Sequence, residues 1–281
     1  MKNLPDALTS LLPELAPLAV AYSGGLDSRF LAHAARCYGL GDAVRLLHVT
    51  GPHVPPEESL QAEQWAGERG FALTVVPVNP LDDPEVRAGS RERCYYCKRR
   101  LFSALFEALD GQFHTLCDGS NASDLRAYRP GLRALHELGV RSPLAETGLA
   151  KEDIRRLAAV TGMDRPDQQA RPCLLTRFAY GLSPTQEALT ALADAEKAIS
   201  EALAGGQYGS LSASVPDFRL RLVEPAPSAA RLPFAAEVHV SAALAEDLRE
   251  RIAGAVTARG FPHPCFVTLE TVSGHYDRQR G

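Results

Sequence analysis

Along the first half of the chain, short apolar runs alternate with longer segments whose apolar positions recur at helical spacing. Leu18-Ala19-Val20-Ala21-Tyr22 is a continuous apolar run closed by a glycine-containing turn, and it predicts a buried strand. Runs at 44–49, 72–78 and 114–117 predict three more strands, and the segments 28–38, 57–70 and 91–109 read as helices. That period of strand, helix, strand argues for an α/β fold: a doubly wound parallel sheet whose ligands bind at the carboxyl ends of its strands. A further helix is expected over 148–160, and 163–172, rich in Pro, Asp and Gln, reads as a linker or an active-site loop. From about Ser183 the pattern changes to an Ala-rich helix (185–204), two strands (218–223, 237–240), a helix (243–260) and a third strand (266–270). The expected organisation is therefore a larger domain over 1–180 and a smaller α+β domain over 181–281.

Composition excludes classes rather than naming an activity. With 281 residues, 45% hydrophobic and 23% charged, the chain is neither disordered, nor a coiled coil, nor a disulfide scaffold. It has no apolar run of the roughly 18 residues a membrane span needs, and its first residues lack the charge and apolar pattern of a signal peptide. A cytoplasmic protein is expected. Thirty basic against 34 acidic residues give a net charge of −4, which offers no support for a nucleic-acid partner. In a reducing compartment the six cysteines are not expected to form disulfides.

Ser23-Gly24-Gly25-Leu26-Asp27-Ser28 stands between the first strand and the first helix. Two glycines allow a tight turn and close approach of backbone N–H groups to a ligand, and the helix adds its positive dipole end. Ser23 and Ser28 can donate to phosphate oxygens, and Asp27 can hold a divalent cation such as Mg2+ carried by that phosphate. No Gly-Lys-Ser/Thr follows, so this is not a Walker loop. A plain strand-to-helix turn is the alternative.

Cys94-Tyr95-Tyr96-Cys97-Lys98 is the second signal. Two thiols three residues apart on a helix face one side and can share a metal, and Arg93, Lys98 and Arg99 favour thiolates. A zinc site, a redox pair and two incidental thiols all remain open on spacing alone. Cys173 lies in Arg171-Pro172-Cys173-Leu174-Leu175-Thr176-Arg177, where Arg177 can neutralise phosphate charge. Cys37 and Cys117 read as core thiols and Cys265 as structural. Asp118, at a strand's carboxyl end, suits a ligand or metal contact, or caps its own turn. Arg219 and Arg221 share one strand face, either to bind phosphate or as a solvated basic surface.

The loop at 23–28 matches the pyrophosphate loop (PP-loop) of the ATP-pyrophosphatase superfamily. Together with the Cys-Tyr-Tyr-Cys-Lys segment it resembles the LarE family of ATP-dependent sulfur transferases. The resemblance extends through Asp118-Gly119-Ser120-Asn121 with Asp124, Arg129-Pro130-Gly131, Arg141-Ser142-Pro143-Leu144 and Leu149-Ala150-Lys151-Glu152-Asp153-Ile154-Arg155. It continues in Cys173-Leu174-Leu175-Thr176-Arg177, Tyr180-Gly181 and Arg219-Leu220-Arg221, with a faint match at Gly274-His275-Tyr276-Asp277-Arg278. It implies a PP-loop domain over 1–180 and ATP cleaved to AMP and pyrophosphate as a carboxylate of a pyridinium mononucleotide is adenylated. The product would be a thiocarboxylate in the synthesis of the nickel-pincer nucleotide cofactor.

The resemblance further implies adenine near His48, Val49 and Thr50, and phosphate contacts from Arg219 and Arg221. Cys173 becomes the sulfur-handling residue, either sacrificed or joined by Cys94 and Cys97 around a [4Fe-4S] cluster. Lys98, Arg177, Arg219 and Arg221 are the groups to stabilise developing negative charge. A sulfide source and a homo-oligomer are expected from the family. The rivals are a tRNA thiolase of the same superfamily, and a nucleotide- or metal-binding module without catalysis.

Overall fold

The apolar runs of the first half pair side by side. A computed structural model of the chain describes residues 4–109, 111, 113–126, 130–169, 173–205, 215–224, 232–272 and 275–278, divided between two units. The first comprises Met1–Asp83 and Glu92–Arg171. Its main elements are α1 (Asp6–Leu15), β1 (Leu18–Ala21), α2 (Leu26–Cys37), β2 (Val44–Thr50), α3 (Pro56–Glu68), β3 (Ala72–Pro77), α4 (Arg93–Glu107), β4 (Thr115–Cys117), α5 (Pro130–Glu137) and α6 (Lys151–Val160). The strands are parallel in the order β3-β2-β1-β4. Winding reverses between β1 and β4, which opens a crevice at their carboxyl ends where such a sheet takes its ligand.

Successive strand residues face two cores. Leu18, Val20 and Leu46 join Leu8 and Leu12 of α1, Phe30 and Leu31 of α2, Trp65 of α3 and Leu157 of α6. Ala19, Leu47 and Leu116 face the other way, onto Phe102 and Leu105 of α4 and Leu135 of α5. Burial on both faces is why these strands read as unbroken apolar runs, and each such leucine contributes about 1.5–3 kcal/mol. At the edge, β3 alternates only loosely and leaves Val75 exposed. α3 starts with Pro56 in its first turn, followed by Glu57 and Glu58, residues that suit an N-terminus.

The second unit comprises Pro84–Arg91 and Pro172–Gly281. Here α7 (Gln186–Ala204) precedes β5 (Phe218–Glu224), β6 (Ala235–Val240), α8 (Glu246–Thr257) and β7 (Cys265–Thr268). β5 and β6 are antiparallel, β6 and β7 parallel, so the three-stranded sheet is mixed. The Thr185 hydroxyl caps α7 by accepting from the Ala188 N–H at 3.1 Å. The buried stripe of α7 runs through Leu189, Leu192, Ala195, Ile199 and Leu203. No helix among the described residues is long and apolar enough to cross a membrane.

Candidate active site

β1 ends at Ala21 and α2 begins at Leu26, so Ser23, Gly24 and Gly25 form the turn at the crevice. Gly24 has φ +74°, and a Cβ there would stand 2.9 Å from that of Ala62, so backbone and space both require glycine. The Ser28 hydroxyl donates to the Gly25 carbonyl at 3.2 Å and lies 3.2 Å from Ser23 Oγ. The Ser23 and Gly25 N–H groups donate to Ser28 Oγ and Ser23 Oγ, each at 3.3 Å. These are long contacts, and a charged phosphate oxygen is a stronger acceptor for the same donors.

Asp27, in the first turn of α2, meets Lys151 at the start of α6, with Nζ 2.8 and 2.7 Å from its two carboxylate oxygens. Burial pushes the Asp27 carboxyl above its ordinary value; Lys151 and an Asn121 hydrogen bond pull it down, and Asp124 pushes it up. Asp118 is buried at the end of β4 and accepts from the Ser120 and Ser142 hydroxyls at 2.5 and 2.6 Å. Gly119 next to it rests on α2: a Cβ there would lie 2.7 Å from the Ser28 nitrogen. Loop, Asp27 and Asp118 thus converge at one crevice. A carboxylate held by a lysine can exchange that partner for a cation arriving with phosphate. Lys151 belonged to a motif noted in the sequence but had no role assigned there.

His48 is buried, with Nδ1 2.8 Å from the Tyr22 carbonyl and Nε2 2.9 Å from Ser59 Oγ. A carbonyl only accepts, so Nδ1 donates to it, and Nε2 shares a hydrogen bond with the Ser59 hydroxyl. The ring ties the end of β1 to α3. Thr50 closes β2, and its carbonyl accepts from the Val78 N–H at 2.8 Å.

Cys94 and Cys97 lie one turn apart near the start of α4, Cys94 half-buried and Cys97 buried. α5 packs tightly there, since a Cβ on Gly131 would lie 2.9 Å from Lys98 Cγ and 3.4 Å from the Cys94 carbonyl oxygen. Lys98 Nζ sits 5.0 Å from the Phe102 ring centroid. His53, which no sequence motif singles out, is also buried in this unit. Burial, with Lys98 and His48 adding to it, pushes its ring down to about 4.

In the second unit Cys173 heads the 3₁₀ turn Leu174–Arg177 and is half-buried. Arg177 is buried in a forked pair with Glu196, at 2.6 and 3.0 Å. The Leu220 N–H adds a third bond to that carboxylate, at 3.0 Å. Arg219 and Arg221 are buried rather than solvated: Arg219 pairs with Asp217 at 2.7 Å, and Arg221 donates to the Thr176 and Val272 carbonyls, each at 2.6 Å. Burial lowers both guanidinium groups, Arg221 to about 10, and neighbouring Arg177 adds to it. Tyr276 donates to the Leu222 carbonyl at 3.0 Å, beneath the Arg221 guanidinium.

Two thiols differ from expectation. Cys37 and Cys265 are exposed, at the end of α2 and the start of β7, whereas Cys117 is buried in the core as expected. Burial pushes Cys117 up to about 12. Among the described residues no three His, Cys, Asp or Glu side chains are gathered as a metal site. Arg129, Arg171, Pro172 and Gly274, part of the segments noted above, lie outside the described residues.

A pyridinium-3,5-bisthiocarboxylic acid mononucleotide synthase of Lactiplantibacillus plantarum is 30% identical over 191 residues, 68% of this chain and 69% of its own length. The chain belongs to the LarE family. An uncharacterised protein of Synechocystis sp. is 37% identical to this LarE-family chain over 192 residues, 68% of this chain and 71% of its own. Another, of Methanocaldococcus jannaschii, is 28% identical over 183 residues, 64% of this chain and 68% of its own. No protein-family model matches the chain.

Proposed function

We propose that this LarE-family chain is an ATP-dependent sulfur transferase. It adenylates a carboxylate of a pyridinium mononucleotide with release of pyrophosphate, then replaces AMP by sulfur to give a thiocarboxylate. The observation that carries this reading is the Ser23, Gly24, Gly25 and Ser28 loop at the crevice of a doubly wound sheet, in a family whose named relative is a bisthiocarboxylic acid mononucleotide synthase. A carboxylate resists nucleophiles because its oxygen leaves poorly, whereas AMP leaves readily. In this reading the loop donors bind the pyrophosphate and Asp27 turns from Lys151 to the accompanying Mg2+. Asp118, His48 and Thr50 border the nucleotide. Lys98, Arg177, Arg219 and Arg221 stabilise negative charge on phosphate or on the attacked carbonyl. Arg221, buried with the Thr176 and Val272 carbonyls as its hydrogen-bond partners, supports an anion there, since a buried cation gains from counter-charge.

Cys94, Cys97 and Cys173 are proposed as the ligands of a [4Fe-4S] cluster, which when bound supplies sulfide. The donor chemistry fits: Cys94 and Cys97 share one side of α4 within its first two turns, where the helix dipole favours thiolates. The test is turnover under anaerobic conditions with ATP, Mg2+ and the dicarboxylated pyridinium mononucleotide. AMP, pyrophosphate and thiocarboxylate should appear in equal amounts, with iron and acid-labile sulfide in the protein and the Cys173 peptide unchanged in mass. Loss of hydrogen sulfide from that peptide would replace the cluster by a sacrificial Cys173. In that route the thiolate displaces AMP as a thioester; removal of the Cα proton and cleavage of the Cβ–S bond release the product and leave dehydroalanine. ATP cleavage without any thiocarboxylate would overturn the reading. Cys173→Ala should abolish sulfur transfer and keep ATP binding.

A further inference from the structure

Arg29 has no exposed surface, yet it sits on α2 one residue beyond the phosphate loop. A buried guanidinium needs partners, and its two terminal nitrogens reach the segment before Cys173. Nη1 donates to Gln168 Oε1 at 2.7 Å; Nη2 donates to the Asp164 carbonyl and lies 3.3 Å from Asp164 Oδ1. Asp164 is itself anchored, accepting from Trp65 Nε1 at 2.9 Å and from Arg69 Nη2 at 2.6 Å. Burial raises its carboxyl, but the Trp65 hydrogen bond and the Arg29 and Arg69 charges outweigh that and hold it below the usual range. Arg165 adopts φ +47°, and its carbonyl accepts from the Gln168 N–H at 3.1 Å, so the turn bringing Gln168 back is itself built from an uncommon conformation.

Gln168 uses both ends of its amide. Arginine has only donors, so the oxygen must face Arg29, and the amide nitrogen is left to donate to the Gly24 carbonyl, at 3.3 Å. In a trans peptide the carbonyl and the next N–H point to opposite sides. Holding the Gly24 carbonyl therefore aims the Gly25 N–H at the other side, where the Ser23 and Ser28 hydroxyls lie together. Gly24, at φ +74°, carries no side chain to resist turning of that plane, so its orientation rests on the hydrogen bonds at its two ends, from Gln168 to the Gly24 carbonyl and from the Gly25 N–H to Ser23.

We infer that Gln168, oriented by Arg29, is a positioning residue that holds the Gly24–Gly25 peptide so that its N–H donates into the phosphate site. The inference rests on the phosphate-loop reading given above. The discriminating variant is Gln168→Glu. A carboxylate keeps, and strengthens, the contact with Arg29, but sets an acceptor against the Gly24 carbonyl. The full chain and the variant would be titrated with inorganic pyrophosphate and Mg2+ by calorimetry, and their melting temperatures measured alongside. Q168E should bind pyrophosphate roughly tenfold or more weakly, the worth of one hydrogen bond to a charged group, while melting no lower than the parent. A purely structural residue would not move affinity and stability apart. Should Q168E fail to fold, Gln168→Met, which keeps the length but neither end of the amide, takes the same measurement at matched stability. Affinity within twofold of the parent, or falling only as far as the melting temperature falls, overturns the inference. No pyrophosphate binding by the unsubstituted chain would overturn the phosphate-loop reading itself and this inference with it.

Discussion

At Gly119 one added carbon would stand 2.7 Å from the Ser28 nitrogen and 3.1 Å from the Asp27 carbonyl carbon, both backbone atoms of the helix that carries the loop. Backbone cannot swing aside as a side chain can, so Gly119→Ala is expected to cost about 1–3 kcal/mol. It should also push the Ser28 N–H off its aim. Thermal unfolding and pyrophosphate titration should both report it; an unchanged melting temperature would mean the crevice is looser than its geometry. The Asp27–Lys151 pair makes a second expectation with a definite sign. Lys151→Met leaves Asp27 half-buried without its cation, and should destabilise the chain at neutral pH by about 1–2 kcal/mol, less than for a fully buried pair. Because burial already raises the Asp27 carboxyl, the folded state binds its proton more readily than the unfolded chain does. The deficit of K151M should therefore shrink as the solution is made more acid and Asp27 becomes neutral. A deficit that grows in acid would assign the loss to something other than Asp27.

Glu196 lies on the apolar stripe of α7, between Leu192 and Ile199, and a carboxylate there needs a buried partner. It has Arg177 and the Leu220 N–H, and although burial alone would raise it, Arg177 in charge and hydrogen bond holds it below its ordinary value. A carboxyl depressed in the folded state contributes stability above its unfolded pKa of about 4.3, and loses it as pH falls through the folded value. Glu196→Gln should accordingly be less stable than the parent at pH 7, and the two unfolding curves should converge below about pH 4. A gap constant across that range would rule out titration of Glu196 as its source. That helix was legible in the sequence as an Ala-rich segment, as were the strands of both sheets, because composition and apolar runs are local signals. α1 was not among the predicted elements: Pro5 stands at its N-cap and Pro13 near its end, while Leu8, Leu12 and Leu15 pack into the core. The loop at 23–28 was legible for the same local reason, since its turn chemistry lies in six consecutive letters. Its partners were not. Lys151 meets Asp27 across 124 residues and Gln168 meets Gly24 across 144, and only folding brings such pairs together. Exposure of Cys37 and Cys265 likewise depends on what packs nearby.

Charge acts at the scale of the whole molecule, and here it bears on the choice between a small acceptor and a nucleic acid. Thirty basic residues against 34 acidic ones give the chain a net charge of −4, a field that repels a polyanion at a distance. The arginines singled out for phosphate chemistry argue in the same direction. Arg177, Arg219 and Arg221 are buried and bonded to Glu196, Asp217 and backbone carbonyls, whereas a duplex is gripped by cations exposed in rows. A tRNA thiolase of the same superfamily would instead need many phosphate contacts, and six to ten of them weaken binding on the order of a thousandfold or more between 50 and 200 mM salt. Titration of the full chain with bulk tRNA at low and moderate salt decides the matter, with an acidic protein of similar size as the reference. The expected outcome is no binding beyond that reference at either salt, and no effect of tRNA on pyrophosphate affinity. Binding at low salt that falls with a slope of several counterions would make tRNA the sulfur acceptor, and the mononucleotide reading would fall with that result.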